Sequence, residues 1–227
     1  MTTQLPAAVL WDMDGTLVDT EPYWISSETD LVESFGSTWT YEDAMTLVGS
    51  GLWESARVLQ GHGVDMSEDD IVSHLTSRVQ ARLATDGVPF RPGARELLQE
   101  LRTLGVKTAL VTMSVRTMAE QVVENLGFDG FDLLVTGDEV EHPKPHPQPY
   151  LRAADLLGVD IADCVAIEDS RAGLASAVAS GAVSLAVPHA VSIPAATTHT
   201  IWPTLAGRTS TDLTALLAAS RSEGLSR

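Results

Sequence analysis

Two aspartates spaced two residues apart, Asp12 and Asp14, stand where an apolar run ends at Gly15. In a β-strand, residues i and i+2 point to the same side, so a strand over residues 7–11 would direct both carboxylates into one small volume. A divalent cation or a phosphoryl group would stabilise that arrangement. Aspartate can carry a phosphoryl group as a nucleophile, and a second aspartate can act as general acid and then as general base. An ordinary acidic turn is the alternative that this pair alone leaves open.

A second polar group, Thr112-Met113-Ser114, directly follows the strand-like segment over residues 107–111. A hydroxyl at a strand end, followed by the free N–H groups of a helix start, offers hydrogen-bond donors to an anion. The serine could equally be an ordinary helix N-cap, and these three residues do not decide between the two roles.

Lys144 is one of only two lysines among 14 basic residues, the other being Lys107. It lies between two prolines in the run His142-Pro143-Lys144-Pro145-His146-Pro147, and alternate prolines stiffen the backbone that presents its side chain. A compact ammonium group suits a point contact to phosphate and carboxylate together. We therefore interpret Lys144 as a catalytic candidate, with a rigid surface loop as the alternative.

Two further carboxylates, Glu168 and Asp169, follow the apolar run over residues 164–167. Acidic residues in this position are often N-caps of the next helix. Together with Asp12 and Asp14, however, they place four carboxylates at strand ends of one predicted sheet. Such a cluster calls for a hard cation with oxygen ligands, and Mg²⁺ is the usual choice when a phosphate supplies the remaining ligands.

Five short, nearly continuous apolar runs predict strands that are buried on both faces, as in a parallel sheet. They cover residues 7–11, 106–111, 131–136, 164–167 and 182–187. Helical patterns lie between them, over residues 94–104, 115–126, 149–157 and 171–180, and a short closing helix is predicted over residues 213–217, with frayed residues at the C-terminus. The alternation predicts an α/β fold with a doubly wound, Rossmann-like parallel sheet.

Roughly 70 residues after the first strand contain no convincing strand. They carry helical patterns over residues 22–35, 41–48, 52–60 and 68–84. The simplest account is a helical cap domain over residues 19–88, inserted into a core domain formed by residues 1–18 and 89–227. An insertion at the carboxyl end of a strand lies above the crevice where such sheets bind ligands.

Charge and composition restrict the possible partners of the 227-residue chain. A net charge of −17 argues against nucleic acid and anionic membranes, because those surfaces favour clustered lysine and arginine. Cys164 is the only cysteine and lies in an apolar run, which predicts a reduced, structural residue. No apolar stretch is long enough to span a membrane, so we expect a soluble, cytoplasmic protein. A monomer and a small homo-oligomer both remain open.

Four motifs in order resemble those of the haloacid dehalogenase superfamily of phosphatases. They are Asp12-Met13-Asp14-Gly15-Thr16, Thr112, Lys144-Pro145 and Glu168-Asp169-Ser170. The chain resembles in particular the branch of β-phosphoglucomutase and phosphoglycolate phosphatase, which carries a helical cap directly after the first motif. One short motif is weakly specific, whereas four in the same order are highly specific.

The resemblance implies that Asp12 attacks phosphorus to form an aspartyl-phosphate. It implies that Asp14 protonates the leaving alkoxide and then deprotonates the attacking water. A Mg²⁺ ion would be held by the Asp12 carboxylate, the Asp14 main-chain carbonyl and Asp169, with Glu168 reaching it directly or through water. Lys144 would offset the negative charge of Asp12 and of the transferred group.

The resemblance also implies a binding site for the phosphoryl oxygens around Thr112, next to Met113 and Ser114. Gly15 would let the backbone approach the phosphate closely. The leaving group would meet the cap, where Ser50 and Trp53 follow the cap glycine and are candidate contacts. Trp53 lies at helical spacing from other cap residues and fits the interior of the cap equally well.

Three features bear on the reaction class. Dehalogenases of this superfamily lack the second aspartate, which is present here as Asp14. Phosphonate hydrolases use a cap lysine, and residues 17–93 contain none. β-Phosphoglucomutase has a histidine where this chain has Trp24, and it has lysine and arginine around the cap glycine where this chain reads Leu47-Val48-Gly49-Ser50-Gly51-Leu52.

These departures favour hydrolysis of small phosphomonoesters, such as sugar phosphates or phosphoglycolate. A sugar-phosphate mutase like β-phosphoglucomutase is the alternative enzyme, and a catalytically silent metabolite-binding module is the alternative from another class.

Overall fold

The structure, a computed structural model, describes residues 4–224 and contains one six-stranded sheet in that range. The strands are β1 (Ala8–Trp11), β2 (Lys107–Val111), β3 (Leu133–Val135), β4 (Cys164–Glu168), β5 (Val183–Ala186) and β6 (Thr200–Ile201). Every neighbouring pair is parallel, and the order across the sheet is β3-β2-β1-β4-β5-β6. The carboxyl ends of β2, β1 and β4 are therefore side by side, and Thr112, Asp12 and Asp169 follow them directly.

Both faces of the sheet are buried, which explains why its strands are apolar at nearly every position. Along β1, Val9 and Trp11 belong to one hydrophobic cluster, while Ala8 and Leu10 belong to the other. All four side chains are fully buried. Because successive side chains of a strand point to opposite faces, this division shows that helices cover the sheet on both sides.

Nine α-helices lie between residues 4 and 224. They are α1 (Glu21–Ser34), α2 (Tyr41–Met45), α3 (Leu52–Gly61), α4 (Glu68–Asp86), α5 (Ala94–Thr103), α6 (Arg116–Glu124), α7 (Gln148–Leu157), α8 (Arg171–Ser180) and α9 (Ser210–Gly224). Helices α5, α6 and α9 contribute buried residues to the cluster that contains Trp11, and α7 contributes to the one that contains Leu10. The result is a doubly wound α/β core, as the sequence predicts.

Helices α1 to α4 form an inserted helical cap. Helix α4 packs against α1 and α3 through a buried stripe that includes Ile71, Leu75 and Val79. Two connections join these helices to the core. They run side by side, because the Asp19 N–H donates to the Pro89 carbonyl at 2.8 Å.

The observed elements match the predicted ones in order and type, with ends that differ by up to two residues, except near the C-terminus and in α2. Strand β6 was not predicted, because two half-buried residues are too short for any periodicity to be read. Helix α9 is longer than the predicted segment over residues 213–217, and the predicted fraying falls in part on residues 225–227, which lie outside the described range. Helix α2 ends at Met45, three residues before its predicted end.

Two expectations from composition concern Cys164 and membrane spans. Cys164 is buried and makes no disulfide, and burial raises the pKa of its thiol to about 12. Such a thiol is unreactive at neutral pH, as expected of a structural residue. Among residues 4–224, no helix combines the length and the apolar character needed to cross a bilayer.

Candidate active site

The turn after β1 places the aspartate pair. The Asp12 N–H donates to the Ile167 carbonyl of β4 at 3.0 Å, and the Gly15 N–H donates to the Val18 carbonyl at 2.7 Å. Gly15 adopts a φ of +83°, which other residues rarely do. Asp12 is buried and Asp14 is half-buried. The pair therefore lies at one strand end, in a turn fixed by main-chain hydrogen bonds.

Gly15 also leaves the space that the Asp169 carboxylate occupies. A Cβ atom at position 15 would lie 2.0 Å from Asp169 Oδ2, far inside van der Waals contact. The Gly15 carbonyl accepts a hydrogen bond from Arg91 Nη1 at 3.0 Å, which fixes the turn from its other side. A side chain at this position would therefore displace Asp169 rather than the turn.

Replacing Gly15 with alanine is expected to weaken divalent-cation binding by at least about tenfold, because the new methyl group displaces Asp169. The concentration of Mg²⁺ that gives half-maximal release of phosphate from a phosphate ester measures the effect. Gly105→Ala is the matched control, since Gly105 has a φ of +73° but no atom within 4 Å of its Cβ position. Equal Mg²⁺ requirements in the two variants would contradict the displacement of Asp169.

Lys144 lies at the centre of the buried charges. Its Nζ is 2.7 Å from Asp12 Oδ1 and 2.6 Å from Glu168 Oε1, and it donates to the Val111 carbonyl at 2.8 Å. Burial disfavours the ammonium charge, but the two carboxylates outweigh that effect and hold the pKa of Lys144 above its usual value. Only 3% of the residue is exposed. Lys144 is thus a buried cation paired with two carboxylates, although Pro143 and Pro145 on either side of it are exposed.

Tyr150 and Gly173 complete the surroundings of Glu168. The Tyr150 hydroxyl donates to Glu168 Oε1 at 2.5 Å, and burial, with the adjacent Glu168 charge, raises the pKa of Tyr150 well above its usual value. A Cβ atom at Gly173 would lie 2.0 Å from Glu168 Oε2. Glu168 is therefore enclosed on all sides and fully buried. Neither Tyr150 nor Gly173 belongs to a recognisable motif, so their contacts with Glu168 could not be predicted from the sequence.

Three of the predicted carboxylates form a cluster that fits a cation. Oxygen atoms of Asp12, Glu168 and Asp169 all lie within 4.8 Å of one another. Asp12 Oδ2 and Asp169 Oδ2 are buried and have no hydrogen-bond partner among the described residues. Burial and the neighbouring Glu168 raise the pKa of Asp12 to about 7, although Lys144 opposes the shift. Buried oxygens without donors are suited to a hard divalent cation such as Mg²⁺.

Asp14 is oriented by four donors, and its carboxylate is not part of this cluster. Thr20 Oγ1 and Trp24 Nε1 donate to Asp14 Oδ1 at 2.5 and 3.2 Å. Ser114 Oγ and Thr112 Oγ1 donate to Asp14 Oδ2 at 2.7 and 3.3 Å. Two of these donors come from the start of the cap and two from the loop after β2. Thr112 and Ser114, predicted as anion contacts, thus hold Asp14 in this structure.

A cavity lies between the cap and these strand ends. It is lined by the catalytic candidates Asp12, Asp14, Thr112 and Lys144, and by Met113 and Ser114. Ser50 lines it from the cap. Trp53 does not, because its indole N–H points away and donates to Asp69 of α4 at 2.7 Å. The structure therefore brings Ser50 to the cavity and leaves Trp53 outside it.

The cap loop that carries Ser50 closes against the core. A Cβ atom at Gly49, which has a φ of +79°, would lie 2.4 Å from the Cβ and Oγ atoms of Ser170. A Cβ atom at Gly51 would lie 3.4 Å from the side chain of Pro143, next to Lys144. The two glycines thus permit close contact between cap and core, and the structure shows the cap closed over the cavity.

Gly49→Ala is expected to lower kcat/KM about tenfold or more, because the methyl group holds the closed cap away from Ser170 and admits water. Steady-state kinetics with a fixed phosphate ester measure the change. Gly36→Ala provides the control, since Gly36 lies in the cap with the same φ of +79° and no atom within 4 Å of its Cβ position. Similar losses in both variants would show that backbone strain, and not closure, is responsible.

Two glutamates of α1 also line the cavity, although the sequence analysis did not select them. Burial, together with nearby Asp14, raises the pKa of Glu21 to about 8. Burial and the charge of Glu21 raise the pKa of Glu28 to about 8 as well. The signal was present in the sequence, because Glu21, Trp24, Ile25 and Glu28 have the spacing of a single helix face. Carboxylates within an apolar face indicate a cavity.

Comparisons with known proteins agree with this geometry. Residues 6–181 match the haloacid dehalogenase-like hydrolase family. Hexitol phosphatase B of Escherichia coli strain K12 is 32% identical, over 80% of this chain and 83% of that protein. Protein CbbY of Rhodobacter capsulatus is 34% identical, over 77% of this chain and 82% of that protein.

A similar solved structure is a CbbY variant from Rhodobacter sphaeroides in complex with xylulose-1,5-bisphosphate. It has a TM-score of 0.81 and 25% identity, and the match covers 89% of this chain and 96% of that chain.

A doubly wound parallel sheet, a helical cap inserted after β1 and carboxylates at the strand ends together define a Rossmann-like core domain with a cap over its ligand-binding edge. The chain belongs to the haloacid dehalogenase-like hydrolase family, whose match extends over most of its length. A further similar protein, from Thermotoga maritima, is named a phosphorylated carbohydrates phosphatase and is 30% identical, over 77% of this chain and 81% of that protein.

Proposed function

We propose that this enzyme hydrolyses small phosphomonoesters, sugar phosphates or compounds like phosphoglycolate, through an aspartyl-phosphate on Asp12. The observation that carries the proposal is the pairing of a buried, lysine-bound Asp12 with an Asp14 held by four donors in the same cavity. This arrangement supports Asp12 as the nucleophile and Asp14 as the general acid and base. The names of the relatives, which include a hexitol phosphatase, support the substrate class.

Two displacements at phosphorus make up the reaction. A carboxylate oxygen of Asp12 attacks phosphorus, the bond to the bridging oxygen breaks, and that oxygen takes a proton from Asp14. Asp14 then removes a proton from water, whose oxygen attacks the phosphorus of the aspartyl-phosphate. The bond from phosphorus to the Asp12 oxygen breaks, which releases phosphate and restores the carboxylate. Lys144 stabilises the negative charge that accumulates next to Asp12 in both steps.

We assign Mg²⁺ to the carboxylate cluster, with Asp12, Asp169, Glu168 and the Asp14 main-chain carbonyl as its ligands. The two buried oxygens without donors, on Asp12 and Asp169, support this assignment. When bound, the ion supplies positive charge against the phosphoryl oxygens and the nucleophile.

We propose that Thr112 and Ser114 exchange partners during the reaction. Both hydroxyls donate to Asp14 in this structure and border the cavity at the end where the phosphoryl group would lie. A phosphoryl group there offers anionic acceptors to the same hydroxyls. Met113 would form one wall of this site. Gly15 would let the backbone approach the phosphate closely, although it does not line the cavity in this structure and its open side faces Asp169.

The cap domain, residues 19–88, would close on the leaving group, with Ser50 as one of its contacts. The core domain, residues 1–18 and 89–227, would perform the chemistry. We propose a cytoplasmic enzyme whose partner is a small phosphorylated metabolite, consistent with its charge of −17, which disfavours nucleic acid and anionic membrane surfaces.

Phosphate release from p-nitrophenyl phosphate, with Mg²⁺ and after its removal by EDTA, tests the proposal. We expect turnover that EDTA abolishes and Mg²⁺ restores. A panel of phosphomonoesters ranked by kcat/KM then identifies the substrate class. A lack of phosphate release from every ester would contradict the proposal, and conversion of one sugar phosphate into its isomer without net release would indicate a mutase instead.

A further inference from the structure

The cap side of the cavity carries polar groups to which the chemistry described above gives no role. Glu28 of α1 and Ser55 of α3 each have only 6% of their surface exposed, and both line the cavity. Glu28 Oε2 accepts a hydrogen bond from Trp39 Nε1 at 3.3 Å, while its Oε1 has no partner among residues 4–224. The Ser55 hydroxyl has no partner in that range either. Two cap helices therefore present unpaired hydrogen-bonding groups to one space.

Glu28 lies beyond the reacting end of the cavity. Trp24, on the same face of α1, reaches Asp14, and Glu28 is four residues further along, or about 6 Å at the helical rise. The bridging oxygen of a substrate must lie near Asp14, its proton donor. Groups that meet Glu28 thus belong to the part of the leaving group several bonds away from that oxygen.

No cationic side chain among the described residues lines the cavity at the end where Glu28 lies. Lys144 is the only cation among the described residues that line the cavity, and it is already paired with Asp12 and Glu168. The arginines of the cap lie on its outer surface, each in an ion pair with a carboxylate: Arg57 with Glu68, Arg78 with Asp30, and Arg82 with Asp86. A second phosphate on the leaving group would meet Glu21 and Glu28 instead of a cation.

We propose that Glu28 and Ser55 bind hydroxyl groups of the leaving group, and that the enzyme selects monophosphates of neutral polyhydroxylated compounds over bisphosphates. This inference rests on the proposed phosphatase function and specifies its substrate class. It separates this chain from the similar CbbY structure, which binds a bisphosphate. The raised pKa of Glu28, about 8, adds support, because a protonated carboxyl can both donate to and accept from a hydroxyl.

The test compares sorbitol 6-phosphate, fructose 1,6-bisphosphate and p-nitrophenyl phosphate as substrates with Mg²⁺. For the unmodified enzyme we expect kcat/KM for sorbitol 6-phosphate to exceed that for the bisphosphate at least about tenfold. A preference for the bisphosphate would overturn the proposal. Failure to hydrolyse even p-nitrophenyl phosphate would instead overturn the phosphatase function itself.

Variants of Glu28 and Ser55 test whether these two residues cause the preference for sorbitol 6-phosphate. The measured quantity is the ratio of kcat/KM for sorbitol 6-phosphate to kcat/KM for p-nitrophenyl phosphate. We expect Glu28→Leu to lower this ratio about tenfold or more, and Ser55→Ala to lower it about threefold or more. Glu28→Gln keeps a hydrogen-bonding group and should restore most of the ratio. If Glu28→Leu does not fold, Ser55→Ala decides the matter.

Matched controls lie on the exposed side of α1, where Glu33→Gln and Ser26→Ala should leave the ratio unchanged. A purely structural role for Glu28 or Ser55 would lower both activities together. An unchanged ratio in Glu28→Leu or, if that variant does not fold, in Ser55→Ala would overturn the proposal.

Discussion

Asp12→Asn is expected to reduce phosphate release at least about a thousandfold, because an amide cannot act as the nucleophile and no other carboxylate can take over its geometry. The substitution also removes half of the ion pairing of Lys144, whose Nζ lies 2.7 Å from Asp12 Oδ1. Steady-state and single-turnover assays of a chromogenic ester with Mg²⁺ measure the loss. Turnover by this variant near the unmodified rate would contradict the assignment of Asp12 as nucleophile.

Folding must be separated from chemistry in this experiment. Asp12→Asn is expected to fold, because burial and Glu168 already raise the pKa of Asp12 to about 7, so a neutral side chain suits the site in the absence of metal. Asp65→Asn is a matched control, since Asp65 is exposed in the loop between α3 and α4. We expect that control to keep full activity, and both variants to keep cooperative thermal unfolding.

Lys144→Met is expected to lower activity by about two to three orders of magnitude and to destabilise the metal-free protein by about 3–5 kcal/mol at pH 8. The reason is that Asp12, Glu168 and Asp169 would then share a buried site without a counter-charge. Denaturant unfolding with and without Mg²⁺ measures the free energy of unfolding. Lys107→Met, at the only other lysine, is the control and should cost far less, because Lys107 is exposed at the start of β2.

The stability lost in Lys144→Met should increase as pH rises. The pKa values of Asp12 and Asp169 are higher in the folded protein than in the unfolded chain. At a pH above their pKa values in the unfolded chain, the folded state therefore binds more protons than the unfolded state. Without Lys144 this difference grows, and stability falls further as pH rises. We therefore expect a smaller deficit at pH 5 than at pH 8. A larger deficit at pH 5 would contradict the electrostatic account of Lys144.

The sheet and the positions of its motifs could be predicted because local sequence determines them. Each central strand is buried on both faces, so β1, β2 and β4 read as continuous apolar runs, and the polar residue after each run marks the strand end. Strand β6 could not be predicted, because two residues carry no periodicity and its pairing with β5 is a tertiary contact.

The partners of the site residues could be predicted only in part. Asp12 and Asp169 meet because they follow neighbouring strands, which the topology of a parallel sheet implies. Lys144 lies in the loop between β3 and α7, so its contact with Asp12 is a tertiary contact that the order of the strands does not determine. The donors from Thr20 and Trp24 to Asp14 depend on how the cap returns over the core, and no spacing in the sequence encodes that contact.

The contacts of the cap residues could not be predicted from the sequence either. Trp53 was a candidate by its place after the cap glycine, yet α3 turns it toward Asp69. Glu28 and Ser55 face the cavity from two different helices, so their proximity is set by the packing of α1 and α3 around α4 and cannot be read from either helix alone.

The central claim is that a phosphoryl group passes through Asp12. Borohydride added during turnover of p-nitrophenyl phosphate reduces an acyl phosphate to an alcohol, so an aspartyl-phosphate at Asp12 becomes homoserine, which peptide mass spectrometry can locate. The account predicts homoserine at position 12 alone, only with substrate and Mg²⁺ present, and none in Asp12→Asn. Homoserine at another carboxylate, or none anywhere while the enzyme is turning over, would contradict it.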